Sequence, residues 1–153
     1  MTMNVVIISG TVFGAAEEVA HHAAQILAEA GLDVTYKTRV SYSELLALDA
    51  DVLLFVTSTT GMGELPETLQ PLVHALREQP PQQWHGLLAG VIALGDACYG
   101  EDFCAGGEMI RELYAELGVV ELQDMLRLDA SETVNPERDA EPWLAEFAAS
   151  LTV

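Results

Sequence analysis

Positive charge is what this chain has least of. Only 6 of its 153 residues are Lys or Arg, against 24 Asp or Glu, for a formal net charge of −18. Binding a phosphate backbone takes clustered Lys and Arg, so nucleic acid and anionic membrane surfaces are excluded as partners. Basic protein surfaces are favoured, because opposite fields speed encounter, although solubility alone would also account for the acidity. Cysteine is scarce as well. Cys98 and Cys104 are too few for a disulfide scaffold, and neither a Cys-x-x-Cys pair nor a His-x-x-x-His helix offers a metal site. No run reaches the roughly 18 to 20 apolar residues of a membrane span, and Met1-Thr2-Met3 leads into an apolar strand with no signal-peptide pattern. A cytoplasmic protein with a single domain over residues 1–153 is the expectation.

What the chain does have is a regular succession of short apolar runs and amphipathic stretches. Asn4-Val5-Val6-Ile7-Ile8 is β-branched and reads as a strand buried on both faces. Ser9-Gly10-Thr11-Val12-Phe13-Gly14-Ala15-Ala16 joins it to a helix in which Val19, Ala23, Ile26, Leu27 and Ala30 share one side. Such a loop aims unpaired backbone N–H groups and the positive end of the helix dipole at an anion. Gly10 and Gly14 permit close approach, Ser9 and Thr11 add hydroxyl donors, and no Lys or Arg takes part. The loop carries neither the P-loop nor the dinucleotide fingerprint, and taken alone it is equally consistent with a turn that binds nothing.

Residues 33–37 alternate as a more exposed strand near the sheet edge, residues 43–47 read as a short helical turn, and residues 51–57 form the clearest buried, central strand. That strand opens into Ser58-Thr59-Thr60-Gly61-Met62-Gly63-Glu64-Leu65-Pro66, again small and hydroxylic. A helix with Leu69, Leu72, Val73 and Leu76 on one face follows, then a strand over residues 88–94 and a third loop over residues 95–104. Residues 105–117 read as a helix with Met109, Ile110, Leu113, Tyr114 and Leu117 inward. Residues 119–122 and 125–129 supply a last strand with an irregular middle, residues 131–141 a polar connection, and a closing helix begins at Pro142. Five strands alternating with helices imply an α/β fold, a doubly wound five-stranded parallel sheet with helices on both faces. Ligands of such sheets bind outside the carboxyl ends of the strands, where all three loops meet.

With the three loops in view, the chain resembles a short-chain flavodoxin over nearly its whole length, most like the small bacterial MioC/YqcA type. Residues 10–17 match the family's Thr/Ser-x-Thr-Gly-x-Thr loop for the FMN phosphate, with Phe13 and Ala16 where hydroxyl residues are usual. Two hydroxyl donors are missing; the backbone donors remain. Residues 57–66 resemble the loop on the inner face of the flavin ring, with Thr60 where many flavodoxins carry a Trp. Residues 93–99 match the outer-face loop, and Tyr99 falls on its stacking tyrosine. The resemblance implies that one FMN is held by Ser9, Gly10, Thr11, Val12, Phe13, Gly14, Ala15 and Ala16, by Ser58, Thr59, Thr60, Gly61, Met62 and Gly63, and by Gly95, Asp96, Cys98, Tyr99, Phe103 and Cys104.

It further implies a monomeric, low-potential one-electron carrier that draws electrons from an NADPH-dependent flavodoxin or ferredoxin reductase and passes them to an acceptor enzyme the sequence does not name. A carrier of this kind needs an acceptor for the hydrogen gained at flavin N5, and the peptide carbonyl of Gly61 is the matching group. Stacking on Tyr99 is worth about 0.5 to 1.5 kcal/mol beyond burial. Glu64, Glu67, Glu101, Asp102 and Glu108 crowd the rim; one such charge about 8 Å away disfavours added negative charge by roughly 2 kcal/mol at an effective dielectric near 20. An FMN-dependent NAD(P)H:quinone-type reductase remains open on the same residues, as does a scaffold without FMN, for which Phe13, Ala16 and Thr60 speak. A phosphoacceptor receiver domain is set aside: Ser9-Gly10, Thr57-Ser58 and Leu128-Asp129 stand where its acidic residues and Lys belong.

Overall fold

A strand with no polar face must be covered on both sides, and three segments of this chain have none: β1 (Asn4–Gly10), β3 (Val52–Thr57) and β4 (Leu88–Gly95). In the computed structural model, which describes residues 2–10, 14–59, 63–95, 104–129 and 132–152, these three lie side by side in the middle of the sheet. The half-exposed β2 (Asp33–Lys37) takes the edge beside β1, giving the order β2-β1-β3-β4-β5 with every pairing parallel. Successive side chains point to opposite faces, so Val5, Ile7, Leu54 and Val56 meet α1 (Ala15–Glu29) and α6 (Glu141–Leu151) through Val19, Leu27, Leu144 and Phe147. On the other face Val6, Ile8, Leu53 and Phe55 meet α2 (Tyr42–Ala47), α3 (Gln70–Glu78) and α4 (Ala105–Leu117) through Leu45, Leu76, Ile110 and Leu113. Burial of each such side chain contributes about 1.5 to 3 kcal/mol. The sheet is thereby covered on both faces.

The expected single last strand is two, so among the described residues the sheet counts six strands rather than five. Both β5 (Val120–Glu121) and β6 (Leu126–Asp129) pair with β4, β5 through Leu88 and Ala89 and β6 through residues 92–95. Gly90 falls between these pairings, and its carbonyl accepts a hydrogen bond of 2.9 Å from the fully buried hydroxyl of Tyr114. Between β5 and β6 the Leu122 N–H still donates to the Ala89 carbonyl at 2.7 Å, and the next residues are tied to α6: the Trp143 indole donates to the Asp124 carbonyl at 2.7 Å, and the Gln123 amide to the Trp143 carbonyl at 2.9 Å. Within the expected polar connection lies a one-turn helix, α5 (Pro136–Asp139), whose N-cap Asn135 accepts from the Arg138 N–H at 3.1 Å. It has no apolar stripe, so hydrophobic periodicity gives no sign of it.

Candidate functional site

The chain leaves β1 toward β2 on one side and returns in β3 on the other, so the strand order reverses between β1 and β3. The crevice above such a reversal is where open α/β sheets take their ligands. Gly10 stands opposite Thr57 in the register, and the Ser58 N–H donates to the Gly10 carbonyl at 2.9 Å, carrying the pairing past the strand ends. A Cβ on Gly10 would lie 2.5 Å from the side chain of Leu69, itself buried to 1 % exposure. Only glycine fits there. Ser9 is buried, its hydroxyl 2.8 Å from that of Tyr36 on β2, and the Tyr36 ring meets His21 edge-on with centroids 4.7 Å apart. Burial pushes the Tyr36 phenol above its ordinary pKa, against the Ser9 hydrogen bond, which lowers it.

Gly14 is the N-cap of α1 at φ 92, with no side-chain cap and nothing within 4 Å of where a Cβ would stand. The first-turn N–H groups of a helix have no intrahelical partner, so this is chemistry suited to an anion, held by neutral donors. Ala15 opens the helix and Ala16 is buried beneath it. Glu17 and Glu18 place negative charge in the same turn, which leaves short-range N–H hydrogen bonding as the attractive force.

After β3, the buried Thr57 hydroxyl donates to the Ser58 carbonyl at 2.9 Å, and Gly63 takes φ 78, in the region glycine favours. Thr59 lies half-buried, and its hydroxyl oxygen accepts from the Gly106 N–H of α4 at 3.0 Å. β4 ends on the half-buried Gly95, and α4 begins after Cys104, a non-glycine residue at φ 57 whose thiol is buried and donates to the Ala93 carbonyl at 3.6 Å. The structure therefore brings together Ser9, Gly10, Ser58, Thr59 and the start of α4. Any part Cys104 plays toward a ligand falls to its main chain. Thr11, Val12, Phe13, Thr60, Gly61, Met62, Asp96, Cys98, Tyr99 and Phe103 lie outside the described residues.

Of the acidic rim, Glu108 is not a bare charge. It pairs with Arg127 of β6 and, at 3.4 Å, with Arg111, which also reaches Glu121 at 2.8 Å. Three residues matter here that the sequence reading did not single out: Tyr36, Leu69 and Gly106. A readable sign existed for the last, because two glycines in the first turn of a helix, Gly106 and Gly107, cost about 1 kcal/mol each unless a neighbour needs the space.

Burial raises the Cys104 thiol from 9.0 to about 11. Between those values the folded chain holds a proton that the unfolded chain has lost, so stability falls as pH rises through this window. The buried Tyr114 phenol, raised by desolvation, acts in the same direction at higher pH. Denaturant melts from pH 8 to 11 should show this decline, and Cys104→Ala should make it shallower; an equal slope in the variant would show that Cys104 ionises alike in both states.

Among the described residues no group of His, Cys, Asp and Glu could hold a metal ion, and no helix is long and apolar enough to cross a membrane. The family profile described as Flavodoxin matches residues 7–143. The chain belongs to the flavodoxin family. It is 62% identical over 149 residues to an uncharacterized protein of Pseudomonas aeruginosa, covering 97% of this chain and 99% of that one. Flavodoxin YqcA of Pectobacterium carotovorum is 42% identical, with 91% of each chain covered. Among solved structures, a cysteine-to-alanine variant of a flavodoxin from Pseudomonas aeruginosa superposes with a TM-score of 0.94 at 60% identity, over 99% of this chain and 100% of that one. Flavodoxins are FMN-binding electron carriers that accept electrons from reductases.

The donor set is compatible with FMN. The start of α1, which Gly14 opens with no side-chain cap, suits a phosphate, and Gly10 lets β1 and β3 end in contact.

Proposed function

We propose that residues 1–153 form one domain that binds a single FMN and works as a monomeric, cytoplasmic, low-potential one-electron carrier. Its donor is an NADPH-dependent flavodoxin or ferredoxin reductase, docking through a basic face, and its acceptor is another redox enzyme. The observation that carries this reading is the meeting of β1 and β3 at Gly10 and Ser58, where the strand order reverses beside the start of α1.

Bound FMN supplies reversible electron uptake; the rest falls to the chain. The first-turn N–H groups behind Gly14, with the loop residues Thr11, Val12 and Phe13, would hold the phosphate. Ser58 to Gly63 would hold one side of the ring and Gly95, Asp96, Cys98 and Tyr99 the other, with Phe103 and the backbone of Cys104 beside them. The Gly61 carbonyl would serve as the hydrogen-bond acceptor toward the ring; glycine turns its peptide at little steric cost. Residues such as Glu64 and Glu67 keep the rim negative, which disfavours added electron density and favours a basic partner.

Anaerobic mixing tests the role directly. The FMN-loaded protein should be reduced rapidly by NADPH only when a catalytic amount of such a reductase is present. Rapid reduction by NADPH alone, with turnover of an added quinone, would identify a quinone-type reductase instead.

A further inference from the structure

The helix α4 has an N-terminus that its own residues do not cap. Cys104, at the N-cap position, sits at φ 57 with no side-chain cap, and its thiol is turned inward toward the Ala93 carbonyl. Helix N-termini left open in this way normally need an outside acceptor. Here the acceptor comes from 47 residues away: the Thr59 hydroxyl oxygen, 3.0 Å from the Gly106 nitrogen. The contact is tight as well as polar, since a Cβ on Gly106 would stand 2.7 Å from the Ser58 carbonyl oxygen and 3.1 Å from the Thr59 hydroxyl. Thr59 belongs to the loop that follows β3, and α4 is where the loop that follows β4 ends. This hydrogen bond thus joins the loop that follows β3 to the helix at which the loop after β4 ends.

We propose that Thr59 is a positioning residue, whose hydroxyl caps α4 from the opposite loop and so sets the width of the slot that receives the flavin ring. This rests on the FMN reading above. Without the bond, the loop after β3 and the start of α4 relax independently, and the ring loses a preformed slot. The phosphate end of the site, at α1, is untouched. The effect on binding therefore belongs to the ring and is the same for FMN and for riboflavin, which lacks the phosphate.

Thr59→Val keeps the shape and removes the acceptor; Thr59→Ser keeps the acceptor. Hydrogen exchange of the Gly106 amide, measured without flavin, reads the cap, and titrations with FMN and riboflavin read the slot. In Thr59→Val the Gly106 amide should lose protection and both flavins should bind about five- to tenfold more weakly, the scale of a lost helix cap. Their affinity ratio should stay constant, and Thr59→Ser should restore both readouts. Gly106→Ala, which wedges the same contact with Thr59 intact, should reproduce the loss. An unchanged Gly106 amide in Thr59→Val, unchanged flavin affinity, or a loss confined to FMN would overturn the brace. A wild-type protein that binds neither flavin would overturn the FMN reading and the slot with it, a failure distinguishable from the first because it precedes any substitution.

Discussion

Replacing Gly10 by valine should weaken FMN binding by more than about a hundredfold and cost about 1 to 3 kcal/mol of stability, the usual range for overpacking a filled site. The cause is steric. The first carbon of any side chain at Gly10 would lie 2.5 Å from both Cγ and Cδ1 of Leu69. Leu69 is fully enclosed and precedes α3, so it has little room to retreat. Strand β1 must then move, and with it the Gly10 carbonyl that holds the Ser58 N–H, so the contact between the two strand ends is lost together with the loop that leads to Gly14. Quenching of FMN fluorescence measures the first effect and urea unfolding the second. Uptake of FMN at wild-type strength would show that the crevice between β1 and β3 is not the binding site.

Phe147→Ala should do the reverse: a large loss of stability with little change in FMN affinity. Phe147 is fully buried on α6, stacks on Trp143 with ring centroids 5.0 Å apart, and lies against Gly90, where a Cβ would come within 2.7 Å of its ring. Truncating a phenylalanine in such a place costs about 3 to 5 kcal/mol. At roughly 2 to 4 °C per kcal/mol for a domain of this size, the melting temperature should fall by about 10 °C. Gly90 lies in the middle of β4, five residues before the strand end at Gly95, and the site residues Gly10, Ser58 and Thr59 contact other elements. The folded variant should therefore bind FMN within a few-fold of wild type; a loss as large as that of Gly10→Val would mean that α6 helps to shape the site.

The contrast between these positions reflects what a linear sequence carries. Apolar runs marked β1, β3 and β4 because burial on both faces leaves no other composition possible, and the amphipathic stripe over residues 105–117 matches α4 in full. The break in the last strand was legible as irregular composition. The groups beside it were not, because the Tyr114 hydroxyl reaches Gly90 from 24 residues away. The pairing of Glu108 with Arg111 follows from helical spacing, whereas that with Arg127 depends on where β6 lands against α4. Thr59 was read as a ligand residue from its loop, and its hydrogen bond to α4 joins elements that only the sheet order brings together. Cys104 likewise sits at the expected place in the chain, with its side chain turned into the core.

Stepwise anaerobic reduction of the FMN-reconstituted protein, followed by its visible spectrum, tests the central claim most directly. The account predicts one FMN per chain and reduction in two one-electron stages separated in potential, the second strongly reducing. Reduction in a single two-electron step, or failure to take up FMN at all, would contradict it.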